Sequence, residues 1–222
     1  MPLTIDRNKI EDLKHPPNLP LVVEELLAFV EDEKRRRKDF LENLHDNTKA
    51  EFIEGEIVLN PPVKRKHYQI VNNISMLLSA YVAVHNLGEV ATEKVLTHLT
   101  RNDFEPDVVF FNSNQVKAFN KETMLHPAPS LVIEVLSSST AKYDRGIKFE
   151  DYANHGVVEY WIIDPDTEEI EQYLLEKNGG YFLNMKSGTG EIKLFSIENL
   201  VLPIKACFSK IENLVALKKI LI

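Results

Sequence analysis

Residues 131–137 read Leu-Val-Ile-Glu-Val-Leu-Ser, an apolar run that a single acid, Glu134, interrupts. The run predicts a β-strand, since its length and apolar character are typical of one. A carboxylate in such a strand is costly to bury unless it is paired or binds a cation. Glu134 is therefore the first candidate for a functional residue.

A second acid lies at the start of another predicted strand. Residues 105–111 read Glu-Pro-Asp-Val-Val-Phe-Phe, and Pro106, which lacks an N–H, suits the first position of a strand. If Asp107 and Glu134 point to one place, they form a site for a hard cation such as Mg²⁺, with the backbone carbonyl of Val135 as a third ligand. The alternative is that both acids lie at sheet ends or pair with arginine.

A lysine follows on the next predicted helix, residues 140–154. Asp144 and Lys148 are four residues apart and therefore share a helix face. One interpretation is a solvated ion pair worth a few tenths of a kcal/mol. The other is that Lys148 reaches back toward Glu134, where it would orient water and stabilise negative charge on a phosphate.

Outward from these segments, the sequence predicts a sheet flanked by helices. Residues 1–20 contain four prolines and predict an N-terminal extended arm, and residues 21–222 are expected to form a single domain. Helices are predicted at 21–38, 67–84, 140–154 and 209–222. Strands are predicted at 51–53 and 56–59 as a hairpin, and at 89–99, 107–112, 130–136, 159–164, 170–175, 181–185, 193–197 and 201–202. Because strands outnumber helices, we expect an α/β (α+β) fold in which helices flank a sheet.

Composition excludes several classes of protein. Of the 222 residues, 44% are hydrophobic and 27% are charged, which excludes a disordered or fibrous chain. Apolar runs are too short to cross a bilayer, and we see no signal peptide. The single cysteine, Cys207, allows no internal disulfide or cysteine zinc site and is predicted to be a buried thiol. We therefore expect a cytoplasmic protein that does not enter a membrane.

The charge distribution argues against a general nucleic-acid binder. The net charge is −8, so the chain lacks an overall basic footprint. The basic run 34–38 follows three acids and is predicted to be the solvated face of a helix. The run Lys64-Arg65-Lys66 has no acids nearby and is the better candidate for phosphate contacts.

The segments around these acids resemble the Uma-type family of restriction-endonuclease-like proteins, which belongs to the PD-(D/E)XK nuclease superfamily. The resemblance covers roughly residues 20–175. It implies a mixed sheet flanked by helices around a nuclease core, here with an extra antiparallel hairpin region and a C-terminal helix. The matching segments are 51–56, Pro61-Pro62, His67, Pro106-Asp107, 134–137, 144–148, Tyr152 and 156–165.

The resemblance assigns roles to the acids and the lysine. It implies that Asp107 and Glu134 are metal ligands and catalytic residues. The superfamily has a lysine two residues after the glutamate, where this chain has Leu136. Related proteins carry that lysine on the following helix, which matches Lys148, with Asp144 as a supporting residue.

The upstream part of the implied site is less closely matched. Glu51 fits the family's upstream carboxylate best, with Glu54 and Glu56 as alternatives, although Glu54 is also suited to shaping the hairpin turn. His67 either faces the site or is exposed at a helix start. The chain departs from the family at Ala50, where the family has tyrosine, and in a longer connection at residues 37–50.

We therefore expect a Mg²⁺- or Mn²⁺-dependent endonuclease that hydrolyses phosphodiester bonds in DNA. A homodimer is expected, because cutting both strands of a duplex needs two sites, and the C-terminal helix and residues 174–185 offer a partner surface. One alternative is a catalytically inert nuclease fold used for binding or assembly, which the net charge and Leu136 favour. Another is a metal-dependent phosphoesterase acting on small phosphate esters.

Overall fold

A six-stranded mixed sheet forms the centre of the protein. A computed structural model describes residues 10–11, 14–44 and 49–222. Its elements, in chain order, are α1 (Leu19–Glu42), β1 (Ala50–Ile53), β2 (Glu56–Leu59), α2 (Arg65–His85), β3 (Gly88–Thr92), β4 (Leu96–His98), β5 (Asp103–Phe104), β6 (Val108–Asn112), α3 (Ser113–Val116), β7 (Leu125–His126), β8 (Leu131–Val135), α4 (Ala141–Asp144), α5 (Ile147–Asn154), β9 (Glu159–Asp164), β10 (Glu169–Leu175), β11 (Tyr181–Ser187), β12 (Glu191–Lys193), β13 (Val201–Pro203), α6 (Lys205–Phe208) and α7 (Lys210–Leu221).

The strand order of the central sheet is β11-β10-β9-β8-β6-β3. Strands β8 and β9 are parallel, and the connection between them contains α4 and α5. The other neighbours in this sheet are antiparallel. A second sheet, in the order β2-β1-β5-β4-β7, and the pair β12-β13 complete the architecture. This is the expected mixed sheet with flanking helices, antiparallel hairpins and a C-terminal helix.

The two faces of the central sheet follow from side-chain alternation along the strands. Val108, Ile133 and Trp161 belong to the core on one face, which also includes residues of α2, α6 and α7. On the other face, Val109 and Val132 belong to a core that includes side chains of α5. Because Asp107 and Glu134 have the same parity as Val109 and Val132, their side chains project toward the α5 side.

The predicted hairpin is present, and its turn explains the role of Glu54. Strands β1 and β2 pair in register from Ala50 to Leu59. Glu54 and Gly55 both have positive φ, 50° and 88°, as a two-residue hairpin turn of type I′ requires. Glu54 therefore shapes the turn.

The predicted segments differ from the structure in four places. The predicted strand 193–197 was wrong beyond its first residue, because the strand in this region is β12, Glu191–Lys193. Helix α1 begins at Leu19, inside the predicted arm. Pro20 is compatible with this start, because it lacks a backbone N–H and the first turn of a helix needs none. The rest of the predicted arm falls partly on residues 1–9, 12 and 13, which lie outside the described residues. The predicted strand 89–99 divides into β3 and β4 because Glu93 and Lys94 both adopt positive φ. The predicted helix 140–154 divides into α4 and α5 at Gly146, where a Cβ would lie 2.8 Å from the Lys142 carbonyl oxygen.

The prediction that residues 34–38 form a solvated helix face was wrong for two of them. The Arg37 guanidinium binds the buried carboxylate of Asp103 through Nε at 2.6 Å and Nη2 at 2.8 Å, and also donates to the backbone carbonyl of Leu99. Arg36 donates to the backbone carbonyl of Gly55. These contacts attach α1 to the second sheet, because arginine can satisfy a buried carboxylate and several carbonyls together.

The prediction that Cys207 is a buried thiol is confirmed. Cys207 is fully buried, and burial raises the pKa of its thiol to about 12. Among the described residues, no helix combines the length and the hydropathy that crossing a bilayer requires.

Candidate active site

A pocket of about 330 Å³ lies where β6 begins and β8 ends, and side chains of α2 and α5 also line it. Its wall includes Lys148, other side chains and six acids, Glu105, Asp107, Glu134, Asp144, Asp164 and Asp166. The pocket therefore brings together the two strand-borne acids and the helix lysine that the sequence singled out.

Asp107 is held in its ionised form by three donors. Its Oδ2 accepts the Val135 N–H at 2.9 Å and lies 3.1 Å from His67 Nε2, and its Oδ1 lies 3.1 Å from Lys49 Nζ. Burial alone would raise the pKa of Asp107, but the His67 hydrogen bond and the Lys49 charge outweigh it and lower this pKa to about 2. His67 is buried and faces the site, which decides between the two placements that the sequence left open.

Glu134 lies at the centre of the cluster. Its Oε1 accepts hydrogen bonds from Lys148 Nζ at 3.0 Å and from the Tyr152 hydroxyl at 3.2 Å. Its Oε2 lies 3.3 Å from the Asp107 N–H. Burial raises the pKa of Glu134 to about 8, and the neighbouring carboxylates of Asp144 and Asp107 add to the rise. One carboxyl group in the cluster therefore retains a proton easily at neutral pH.

The Lys148 ammonium lies among three carboxylates. Its Nζ is 2.9 Å from Glu51 Oε1, 3.0 Å from Glu134 Oε1 and 3.3 Å from Asp144 Oδ1. Burial alone would lower the pKa of Lys148, but these three charges outweigh it and hold the pKa well above its usual value. Lys148 is 2% exposed and Asp144 is 1% exposed, so the interpretation of a solvated ion pair was wrong. The lysine that is absent at position 136 has a counterpart here, beside Glu134.

The upstream hairpin contributes one of its three acids. Glu51 on β1 is buried, and besides Lys148 it accepts the Glu105 N–H at 2.9 Å and the Asn60 side-chain amide at 3.2 Å. Glu56, in contrast, is exposed and lies 3.1 Å from Arg36. Of the hairpin acids, the structure therefore brings Glu51 to the cluster and leaves Glu56 outside it.

Sequence reasoning missed two residues of the site, Lys49 and Glu105. Lys49 immediately precedes β1 and carries no pattern that would distinguish it from a surface lysine. Glu105 lines the pocket and is buried, and burial raises its pKa to about 7. It precedes Asp107 by two residues in the run Glu-Pro-Asp, and an acid so close to a candidate metal ligand is a signal that could have identified it.

The basic run at the start of α2 reaches the pocket in part. Lys64 and Lys66 line the pocket, and Arg65 is exposed. Lys66 forms an ion pair with Asp166, which belongs to the turn after β9. The structure therefore places two of the three predicted phosphate-contact residues at the pocket.

The chemistry of the cluster suits a hard divalent cation, because carboxylate oxygens are the ligands that Mg²⁺ prefers. The cluster contains five carboxyl groups. Those of Glu51, Asp107, Glu134 and Asp144 contact the ammonium group of Lys49 or Lys148, and that of Glu105 forms no ion pair with either. Across residues 10–11, 14–44 and 49–222, no three His, Cys, Asp or Glu side chains are arranged to hold a metal ion. The lysine ammonium groups instead contact the carboxylates, so a divalent cation would have to displace at least one of them.

Comparison with known proteins identifies the family. The family described as "Uma2: Putative restriction endonuclease" matches residues 37–196, more than two thirds of the chain. Two relatives come from Synechocystis sp., and both are uncharacterized. The protein sll1609 is 30% identical over 128 residues, which cover 56% of this chain and 71% of that protein. The protein slr1290 is 26% identical over 191 residues, which cover 83% of this chain and 92% of that protein.

A solved structure supports the fold. The crystal structure of a "putative nuclease belonging to DUF820" from Anabaena variabilis superposes with a TM-score of 0.67 at 19% identity. The superposition covers 77% of this chain and 96% of that one. The fold is therefore of the restriction-endonuclease-like type, and the chain belongs to the Uma2 family.

Proposed function

We propose that the protein is a Mg²⁺-dependent nuclease that hydrolyses phosphodiester bonds in DNA, with Mn²⁺ as a substitute cation. Family membership supports a nuclease-like function. The observation that carries the proposal is the convergence of Asp107, Glu134 and Lys148 in one pocket, with Lys148 Nζ 3.0 Å from Glu134. Restriction-endonuclease-like nucleases generally use divalent metals.

In this proposal, Asp107 and Glu134 hold the cation, together with the backbone carbonyl of Val135. The bound cation would neutralise charge on the scissile phosphate and lower the pKa of water. Lys148 orients the attacking water and stabilises the negative charge that develops on the phosphate. Glu51 and Asp144 position the Lys148 ammonium.

Two further groups adjust the site. His67 keeps Asp107 ionised, since its Nε2 lies 3.1 Å from the carboxylate. Lys64 and Lys66 contact substrate phosphates at the pocket rim. Because the net charge is −8, binding depends on these local contacts, and affinity should fall steeply with salt concentration.

Cleavage of labelled single- and double-stranded DNA in Mg²⁺, Mn²⁺ and EDTA tests the proposal. Asp107→Asn and Glu134→Gln should each reduce the rate by roughly 10²- to 10³-fold, because each removes a charge that stabilises the transition state. Glu150→Gln is the matched control, since Glu150 is an exposed acid on the same helix as Lys148. Cleavage that persists in EDTA, or in both site variants, would contradict the proposal.

The size of the pocket favours one alternative substrate class. A volume of about 330 Å³ lies at the lower end of the range for small-molecule sites, roughly 300–1,000 Å³. A metal-dependent phosphoesterase acting on small phosphate esters would suit this volume and the acidic charge. Turnover of a nitrophenyl phosphodiester without cleavage of any oligonucleotide would favour this alternative over the nuclease.

A homodimer belongs to the same proposal, because cleavage of both strands of a duplex needs two sites. Exposed apolar side chains on α7 and β11, including Leu214, Val215 and Leu183, support such a surface. Light scattering coupled to gel filtration should give twice the 25.5 kDa mass of the chain. A monomer at micromolar concentration would contradict the dimer without affecting the proposed chemistry.

A further inference from the structure

Glu105 has a feature that the proposed mechanism does not use. The residue is 6% exposed, lines the pocket, and its Oε2 has no hydrogen-bond partner. A buried carboxylate oxygen without a partner is unfavourable, because its desolvation is not compensated. Such an atom in a pocket indicates a position for a ligand.

Glu105 lies on the same side of the chain as Asp107. The two residues are separated by Pro106, in the segment that connects β5 to β6, and both line the pocket. The Glu105 N–H also donates to Glu51 Oε1 at 2.9 Å, which fixes this segment against β1. Glu105 therefore lies along the pocket wall between the hairpin and Asp107.

The lysine ammonium groups of the cluster contact other acids. Lys49 Nζ is 3.1 Å from Asp107, and Lys148 Nζ contacts Glu51, Glu134 and Asp144. The five carboxyl groups of the cluster thus outnumber the two lysine ammonium groups. This surplus of buried carboxyl oxygens favours the binding of an additional cation.

We propose that Glu105 is a further cation ligand, which binds a divalent cation in the pocket jointly with Asp107. This inference rests on the cation site of the proposed function, but it does not require that the protein cleaves DNA. The cation replaces the Lys49 ammonium at Asp107 Oδ1, and the free oxygen of Glu105 supplies an additional anionic ligand. Asp107 and Glu105 would then bind the same cation.

Titration with Mn²⁺ alone, followed by electron paramagnetic resonance of the free ion, tests the proposal. Glu105→Gln keeps the size of the side chain and removes its charge, and it should weaken Mn²⁺ binding by about tenfold or more. Glu105→Asp retains a carboxylate and should bind Mn²⁺ more tightly than Glu105→Gln. Glu150→Gln should bind as the wild type does. Thermal unfolding without metal establishes that each variant is folded.

A second pair of variants tests whether Glu105 acts only through Lys49. In a Lys49→Gln background, the further change Glu105→Gln should still weaken Mn²⁺ binding by a similar factor. If the effect disappears in this background, Glu105 only accepts the displaced lysine, and its assignment as a ligand is overturned.

The outcomes separate this inference from the proposed nuclease. Equal Mn²⁺ affinity of wild type and Glu105→Gln would overturn the ligand assignment, even if the protein cleaves DNA in Mg²⁺. Weakened Mn²⁺ binding in Glu105→Gln would support the assignment, even if the wild type cleaves no DNA. Absence of Mn²⁺ binding by the wild type at millimolar concentration would overturn it as well.

Discussion

Two buried carboxylate systems on the central sheet differ in how their charge is compensated. Glu159 on β9 is 0% exposed and accepts five hydrogen bonds. The donors are the Trp161 Nε1 at 2.7 Å, the Gln172 Nε2 at 2.6 Å, the Phe195 N–H at 2.8 Å, and the N–H and hydroxyl of Ser196 at 2.8 and 2.7 Å. Both oxygens are satisfied by neutral donors, and the contacts attach β9 to the segment before β13.

The cluster of the candidate site has the opposite character. Four of its five carboxyl groups contact Lys49 or Lys148, and the Glu105 Oε2 has no hydrogen-bond partner. A fully satisfied polar network stabilises a fold, whereas an incompletely satisfied one lowers stability and is retained where it serves function. The comparison indicates that Glu159 stabilises the fold, and it supports the proposal that the cluster binds a cation.

The largest stability effect is expected at Lys148. Lys148→Met leaves three carboxylates without their common ammonium group and should lower the free energy of unfolding by about 3–5 kcal/mol. Urea unfolding at pH 7 measures this change. Adding Glu134→Gln should recover part of the loss, because it removes one of the carboxyl groups that share the missing ammonium group. A Lys148→Met variant as stable as the wild type would contradict the description of the cluster.

Glu159→Gln should lower the free energy of unfolding by about 2–3 kcal/mol. In glutamine, an NH2 group replaces one carboxylate oxygen and would face N–H or O–H donors. At least one buried donor would therefore lose its acceptor. Because Glu159 contributes no group to the pocket, Mn²⁺ affinity should stay unchanged in this variant. Weakened Mn²⁺ binding would show that the two carboxylate systems are coupled.

Glu171 is an intermediate case, since it is paired with a partly exposed arginine. Arg145 lies 2.7 Å from its carboxylate and, with Tyr173 and Lys186, lowers the pKa of Glu171 to about 2. A carboxyl group whose pKa is lower in the folded state stabilises the fold above pH 5, and this stabilisation disappears as the pH falls toward 2. After solvent screening at Arg145, Glu171→Gln should cost about 1–2 kcal/mol at pH 7 and much less at pH 3. A cost independent of pH would contradict this account.

The smallest stability effect is expected at Glu134, although the chemical change is the same as at Glu159. Glu134→Gln removes a carboxylate from a cluster with excess negative charge, so stability should change by less than about 1 kcal/mol. The pKa of Glu134 is raised, so its ionisation opposes folding, and the variant should gain relative stability as the pH rises from 5 to 8. A loss as large as that of Glu159→Gln would remove the distinction between the two systems.

Much of the fold followed from the sequence, because local patterns determine it. Apolar runs predicted β8 and β9, the helical repeat predicted α2, and Glu54-Gly55 predicted the hairpin turn. The break within the predicted segment 89–99 depends on the left-handed backbone of Glu93 and Lys94. The break within 140–154 occurs at Gly146, which lies close to the Lys142 carbonyl oxygen. These features arise from tertiary contacts and leave no periodic signal.

The residues of the candidate site were predictable to the extent that they interrupt a pattern. Glu134 stands out in an apolar strand and Lys148 on a helix face, and the structure brings both together with Glu51. Lys49 was not predictable, because its proximity to Asp107 depends on how the hairpin packs beside β6. The catalytic and metal-binding roles of these residues remain predictions that the experiments above test.

A crystal soaked in Mn²⁺ and measured at the manganese absorption edge tests the central claim most directly. The account predicts an anomalous peak about 2.0–2.3 Å from oxygens of Asp107 and Glu134, with Lys49 displaced from Asp107. If the crystal at saturating Mn²⁺ shows no peak among these carboxylates, and Lys49 and Lys148 keep their contacts, the cluster is not a cation site and the account is contradicted.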